Sequence, residues 1–408
     1  MKERIAIVGS GVSGSVAAYY LSQKHAVTVF EKEDYFGGHV HTHRVKDKIG
    51  TDVCLDTGFV FFNKPNYPKF LSLLDELKIP YKPSKVSFGI GQKKTVSGNS
   101  WWQAVEKQLF EKKDFQKHLE TFLQAAKKDL PTIDGSKSMH TYIVDDLRIP
   151  FWFFEQALLS LAAGAWSNDF TTMKSYQAKP VLLFLQQHGF LEPELAFDWL
   201  CIQGGYNQYI TAIRKNSSAH FLCNTPIIEV NDARDSVEVV TTNSRKTFDR
   251  VIFACHADTA LQVFSNPTSL QQEILGTFHF HDNHGILHTD QSIYPSSKEI
   301  PSLIFHLPAG KPACLTSHLN PLQTIESDTH FFFTLNPTIE IKNSEILKKI
   351  TYRHISITDE IAEAQKQFQS VNTQNQIHFI GAYWGKAYHE DGVISARELV
   401  FNPTYGIG

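Results

Sequence analysis

Apolar positions along this chain fall into two patterns, short solid runs and helical stripes, and their order is most regular at the start. Residues 4–8 (RIAIV) form the kind of run that a strand buried on both faces needs, and it breaks at once into Gly9-Ser10-Gly11-Val12-Ser13-Gly14. A helical stripe follows through Val16, Ala17, Tyr20 and Leu21, and a second run at residues 26–30 ends on Glu31. Next come a glycine pair, Gly37-Gly38, and a strand-like stretch with a glycine turn over residues 55–63 (LDTGFVFFN). A helix is predicted to begin near Asn66, with Pro68 in its first turn and Phe70, Leu73, Leu74 and Leu77 on one face.

From about Tyr81 to Cys201 the pattern changes. Residues 101–128 read as mainly helical, with Phe115, Leu119, Phe122 and Ala126 near one face, and residues 151–197 are aromatic-rich with few strand signals. This predicts a helical insertion that covers something. The α/β pattern resumes at Gly204-Gly205, where Tyr206, Tyr209, Ile210 and Ile213 fit one helix face, followed by strands at 219–223, 227–231, 236–241 and 250–254. Residues 275–345 alternate β-like runs (286–288, 303–306, 331–335) with Pro and Asn turns, predicting a further sheet. The last unit repeats the opening order: a strand at 377–380, Gly381, a loop through Asp391-Gly392, and a helix carrying Val393, Ala396 and Val400. The expected fold class is α/β, with a discontinuous Rossmann-like dinucleotide-binding domain from residues 1–65, 202–265 and 375–408. An α+β substrate domain, with the helical insertion, is expected from residues 66–201 and 266–374.

The first glycines have a physical reading. Gly9 permits the tight strand-to-helix turn, Gly11 lets the backbone approach a pyrophosphate, and Gly14 lets the helix pack closely on the strand. The helix N-terminus at Val12 and Ser13 favours phosphate charge. Glu31, 17 residues beyond Gly14, is placed to hydrogen-bond ribose hydroxyls, with Lys32 beside it. A lone G-x-G-x-x-G is weak; strand, glycines, helix, second strand and acid in order predict dinucleotide binding.

Composition narrows the class. At 408 residues, with 42% hydrophobic and 20% charged positions, the chain has room for two domains and an ordinary enzyme core. A net charge of -3 gives no electrostatic reason to expect nucleic acid. No export signal and no membrane-length apolar run is visible, so a cytoplasmic protein is expected, with peripheral membrane contact left open. Five scattered cysteines without a C-x-x-C pair read as reduced, buried thiols. His39, His41 and His43 alternate and on a strand would share one face, but no carboxylate cluster accompanies them, so no metal site is expected. Thirty phenylalanines hint at a large apolar substrate space beyond the cores most of them fill.

Several segments together resemble the flavin-containing amine oxidase superfamily, which shares its architecture with protoporphyrinogen oxidase, phytoene desaturases and UDP-galactopyranose mutase. They are Gly9–Gly14 with Glu31, Phe36-Gly37-Gly38-His39, residues 55–63, and Asn66-Tyr67-Pro68. The series continues with Gly204-Gly205-Tyr206-Asn207-Gln208-Tyr209, residues 253–258, 287–290 and 334–337, Gly381-Ala382-Tyr383-Trp384, and His389-Glu390-Asp391-Gly392. More closely, the chain is similar to bacterial predicted NAD/FAD-binding oxidoreductases often encoded near cyclopropane-fatty-acid-synthase-like methyltransferases. The resemblance implies FAD, and an FAD-dependent oxidoreductase that oxidises or desaturates a hydrophobic small molecule such as a fatty acyl chain or isoprenoid. Alternatives are a flavin-dependent isomerase of a fatty-acid double bond and a non-catalytic FAD-binding partner of a lipid-modifying methyltransferase.

The same resemblance implies the site. Gly37, Gly38 and His39 bring a second backbone segment to the phosphates; many relatives carry arginine where this chain has His39, and imidazole is the weaker anion partner. Asp56, Thr57, Gly58 and Phe59 fall on the flavin side, with loop fixing as the alternative for Asp56. Ile227 and Ile228 present backbone to adenine. Gly381, Asp391, Gly392 and Val393 lie near the flavin ring, where a helix N-terminus stabilises anionic reduced flavin. His389 and Glu390 are the candidate acid or base beside the ring. Tyr383 and Trp384 are candidate walls of the substrate space. Some members attach FAD through a C-terminal cysteine; the last cysteine here is Cys314, so FAD is expected to be non-covalent.

Overall fold

The computed structural model describes residues 2–91, 96–98, 103–105, 114–159, 177–192, 198–233, 235–293, 300–306, 314–355, 359–373, 376–405 and 407. Five parallel strands form the sheet that carries the glycine turn. These are β1 (Arg4–Val8), β2 (Ala26–Phe30), β3 (His220–Leu222), β4 (Arg250–Phe253) and β5 (Ile377–Phe379), lying side by side as β3-β2-β1-β4-β5. This is the doubly wound order, with its switch point beside β1.

The solid apolar runs are explained by burial on both faces. Ile5, Ile7 and Val29 pack with the helices Val12–Leu21, Asn207–Asn216 and His389–Phe401. Ala6, Val251 and Phe253 pack on the other side with the helix Ala257–Val263 and the antiparallel strands Ile227–Ala233, Ser236–Thr241 and Arg245–Phe248. The Arg245–Phe248 strand carries three exposed residues and one buried, which is why no apolar run announces it.

The second region is built on a seven-stranded sheet. Its order is Ile346–Ile355, Phe280–His288, Phe332–Leu335, Cys314–His318, Leu303–His306, Phe88–Gly91 and Val96–Gly98. Against one end pack the helices Phe115–Asp129 and Ala178–Gln187 of the insertion, whose apolar faces (Phe115, Leu119, Phe122 and Ala126; Val181, Leu182 and Leu185) share one core with Leu303 and Phe305. The insertion is not purely helical: Tyr81–Pro83 and Phe88–Gly91 are strands, joined to Trp199–Ile202 and Leu303–His306. The expectations for residues 92–95, 99–102, 106–113, 160–176 and 193–197 lie outside the described residues. Among the described residues no helix is long and apolar enough to cross a membrane.

Two local expectations are corrected. His39 sits in a turn and only His43 of the alternating histidines lies within the strand Thr42–Lys46, so the three share no strand face. Among the described residues no group of three or more His, Cys, Asp or Glu could hold a metal. All five cysteines are free, but Cys223 is exposed, because it lies in the turn that follows β3.

Gly14 sets how closely the first helix meets β1. A Cβ there would overlap the Gly9 carbonyl oxygen and lie 3.1 Å from Ala254 Cβ. Backbone cannot move aside as a flexible side-chain end can, so Gly14→Ala is expected to destabilise the protein by about 1–3 kcal/mol, read as a lower denaturant midpoint at unchanged slope.

Candidate active site

The switch point opens into a cavity of about 1460 Å³, larger than the roughly 300–1,000 Å³ of drug-sized ligand pockets. Gly9 turns the chain out of β1 at φ +102°, a conformation that only glycine adopts without strain. A Cβ on Gly11 would meet nothing within 4 Å, so this residue presents bare backbone to open space in the cavity wall. Gly38, at φ +60°, lies against it: a Cβ there would be 3.2 Å from Gly11 Cα. The two glycine segments form one cradle.

Glu31 holds that cradle together. Its Oε2 accepts hydrogen bonds from the Ser10 amide at 2.9 Å and the Ser10 hydroxyl at 2.6 Å, and its Oε1 accepts one from the Glu33 amide at 3.0 Å. The Ser10 hydroxyl oxygen in turn accepts from the Gly37 amide at 3.2 Å. Lys32 lines the same end and is exposed, 3.6 Å from Glu33. Thr225, Pro226 and Ile227 complete the wall there, whereas Ile228 alternates outward and is 54% exposed.

The middle of the cavity is walled by His39, Gly58, Cys255, His256 and residues 352–354. A Cβ on Gly58 would overlap the His39 carbonyl oxygen, so these two loops are in backbone contact. The His39 ring stacks on Tyr352 (centroids 5.1 Å apart) and His354 (5.3 Å), and lies 6.2 Å from His256. Burial pushes His39 and His256 down to about 4 and His354 to about 3, so all three are neutral at pH 7. Arg353 is bound to Asp258 at 2.5 Å and approaches Asp282 at 3.5 Å.

Asp56 and Thr57 stand behind this wall rather than in it. The Asp56 carboxyl accepts hydrogen bonds from the Thr42 hydroxyl and from the Tyr206 amide at 3.1 Å, which anchors the start of the helix Asn207–Asn216. The Thr57 hydroxyl is 2.7 Å from the Tyr352 hydroxyl and 3.1 Å from His43 Nε2. Burial pushes Asp56 up to about 7, against those two hydrogen bonds.

The closing segment supplies the last wall through Gly381, Tyr383 and residues 385–389, while Trp384 packs against Phe278 and Phe368. Its helix begins at His389, earlier than the expected loop through Asp391-Gly392 allows. The reason is Asp391, whose Oδ2 accepts from the Tyr388 amide at 2.8 Å and the Lys386 amide at 3.1 Å and so closes the first turn. Gly392 and Val393 face away from the cavity. A Cβ on Gly392 would lie 2.5 Å from Val12 Cγ1, and Val393 is fully buried in the core. Glu390 is committed elsewhere: its carboxylate accepts from the Lys69 and Phe70 amides at 2.7 and 2.8 Å, capping the helix Pro68–Glu76. His389 does line the cavity. Its ring stacks on Phe59 (4.2 Å, 10°), its Nε2 is 2.9 Å from the Tyr209 hydroxyl, and burial pushes it down to about 3.

Beyond Phe59 and Tyr388 the insertion helix Ala178–Gln187 contributes Val181, Leu183, Phe184 and Gln187. Asn66 Nδ2 donates to the Gln187 carbonyl at 2.6 Å and ties this helix to the loop after Asn63. Among the described residues, no acidic side chain of the insertion lines the cavity. Ser10, Tyr352–His354 and the insertion residues escaped the sequence reading; the first has a serine's ordinary turn composition, and the others reach the site only through long-range packing.

Fold and cradle together define a dinucleotide-binding α/β protein. The chain belongs to the family of flavin-containing amine oxidoreductases, which matches residues 12–282. It is 23% identical to the mouse (Mus musculus) L-amino-acid oxidase over 308 residues, 68% of this chain and 46% of that protein. It is 34% identical to a 1-hydroxycarotenoid 3,4-desaturase of Flavobacterium sp. (strain P99-3) over 102 residues, 25% of this chain and 18% of the desaturase. The matches thus span less than half the length of these curated relatives. Among solved structures, a putative protoporphyrinogen oxidase from Exiguobacterium sp. 255-15 superposes with TM-score 0.71 at 13% identity, over 100% of this chain and 99% of that one. A CLA-producing fatty acid isomerase from P. acnes does so with TM-score 0.68 at 13% identity, over 98% of both chains. A flavin fits the residues present: the bare backbone of Gly11, set against Gly38, is a cradle that any side chain would fill.

Two variants separate binding from folding. Gly11→Ala is expected to leave the denaturant midpoint nearly unchanged, because its Cβ meets no protein atom, yet to weaken flavin retention by at least about tenfold in equilibrium dialysis. Asp56 is raised from 3.8 to about 7, so its contribution to stability is full below its unfolded value and lost as pH rises through about 7. Asp56→Asn should therefore flatten the stability profile over that window, measured by urea unfolding.

Proposed function

We propose that this protein is an FAD-dependent oxidoreductase that oxidises or desaturates a hydrophobic small molecule, of the fatty-acyl or isoprenoid kind. The observation that carries this reading is continuity: one cavity joins the glycine cradle to an apolar chamber roofed by Val181, Leu183 and Phe184. When bound, FAD supplies hydride acceptance. Glu31 stands at the ribose end, Gly11 and Gly38 at the diphosphate, and Gly381 with the helix N-terminus at His389 toward the ring. Phe59 and the insertion helix exclude water from the chamber.

His389, neutral and 2.9 Å from the Tyr209 hydroxyl, is the group we assign to hold a proton beside the ring. Glu390 acts as a positioning residue through its helix cap. Non-covalent attachment is supported by Cys255, the cysteine among the cavity-lining residues, whose thiol burial pushes up to about 12 and so out of its nucleophilic form.

A second reading, isomerisation of a fatty-acid double bond without net redox change, draws on the likeness to the P. acnes isomerase. Anaerobic turnover of a lipid with no electron acceptor would favour it, whereas a strict need for an acceptor favours oxidation. A flavin inert toward lipids, in a chain that binds a lipid-modifying methyltransferase tightly, would replace both with a partner role. Purified protein should be yellow and release FAD on heating; a colourless protein that FAD cannot reconstitute contradicts all three.

A further inference from the structure

Beyond the helix N-terminus at Val12, the described side chains lining the middle of the cavity offer little uncommitted positive charge for a diphosphate. Arg353, the cation set among His39, His256 and Tyr352, already faces two carboxylates, Asp258 and Asp282. Lys32 pairs with Glu33 and Lys366 with Glu363. Among the described residues, the remaining lining cations are elsewhere, Lys179 on the insertion helix and Lys386 beside His188 and Asp391. A diphosphate held at Gly11 and Gly38, next to His39, brings two negative charges, of which a helix N-terminus offsets only about half a charge, and burying the rest without a counter-charge is costly.

What the wall offers instead is imidazole. The His256 and His354 rings lie 6.2 and 5.3 Å from that of His39, whose buried Nε2 has no hydrogen-bond partner. The groups facing this cluster from the surrounding elements are Tyr352, His389, His281, Arg353, Asp258 and Lys32. None of these adds an uncommitted cation at the cluster. We propose that the diphosphate of the cofactor is neutralised by protons taken up from solvent onto the His39, His256 and His354 imidazoles, so that cofactor binding is coupled to proton uptake. This rests on the FAD reading above. A site with guanidinium in place of His39 would carry its charge at every pH; this one acquires it only with the ligand.

The direction follows from linkage. The imidazoles are neutral in the empty site, and an adjacent anion raises their proton affinity, so affinity for the cofactor rises as pH falls. Titration calorimetry of the intact protein with FAD, in two buffers of different ionisation enthalpy, should show net uptake of about one proton near pH 6.5. The dissociation constant should tighten by up to about tenfold per pH unit per proton between about pH 8 and 6. ADP-ribose, which carries the diphosphate without flavin, should show the same uptake, and adenosine none. His39→Arg should tighten binding at about pH 8 and flatten the slope; the wild-type calorimetry decides the matter whether or not that variant folds. FAD binding with no proton uptake and no pH slope would overturn the proposal while leaving the FAD reading intact. Failure to bind FAD at any pH would overturn the FAD reading and this proposal with it.

Discussion

The site depends on one buried carboxylate. Glu31 closes β2 and accepts three hydrogen bonds, two from Ser10 and one from the Glu33 amide, while Ser10 carries the connection on to Gly37. Through this knot the turn after β1 and the glycine pair after β2 are held so closely that Gly38 lies against Gly11. Hydrogen bonds to a charged group are worth more than neutral ones, and losing a partner leaves a buried charge unpaired. The geometry of the cradle is therefore specified by polar contacts as much as by the apolar sheet beneath it.

A pair of carboxylates plays the same part at the far end of the chain. Asp391 closes the first turn of the last helix, and Glu390, beside it, caps a helix more than 300 residues earlier in sequence. Adjacent acids thus serve two helix termini. Between them they fix where His389 enters the cavity and where the helix N-terminus points. The functional wall is made by neutral and aromatic groups, His389, Phe59 and Tyr388, and the acids stand behind it as supports.

Much of this was legible in the sequence because the first α/β unit obeys its local rules without exception. The runs at Arg4–Val8 and Ala26–Phe30 are solid because both faces are covered, Gly9 and Gly14 each answer a separate steric demand, and Gly11 leaves its backbone bare toward the cavity. The strand Ile346–Ile355 was not legible: its Lys348, Lys349 and Thr351 obscure any alternation, yet it delivers Tyr352, Arg353 and His354 to the cavity. Glu390 was read as chemistry because a carboxylate beside a histidine in a terminal loop carries no sign of a distant helix cap. Ile228, adjacent to a residue that does line the cavity, shows the limit of assigning a whole strand segment to a ligand: alternation turns it to solvent.

In the proposed reading a single cavity holds FAD with its diphosphate between Gly11 and Gly38 and its ring toward the chamber under the insertion helix. Electron density of crystals grown from FAD-loaded protein shows where each part of the cofactor lies. Continuous density is expected with the ribose at Glu31, the diphosphate at the paired glycines, and the isoalloxazine between Gly381 and Phe59. Density with the ring at Glu31, or FAD bound outside this cavity, would contradict it.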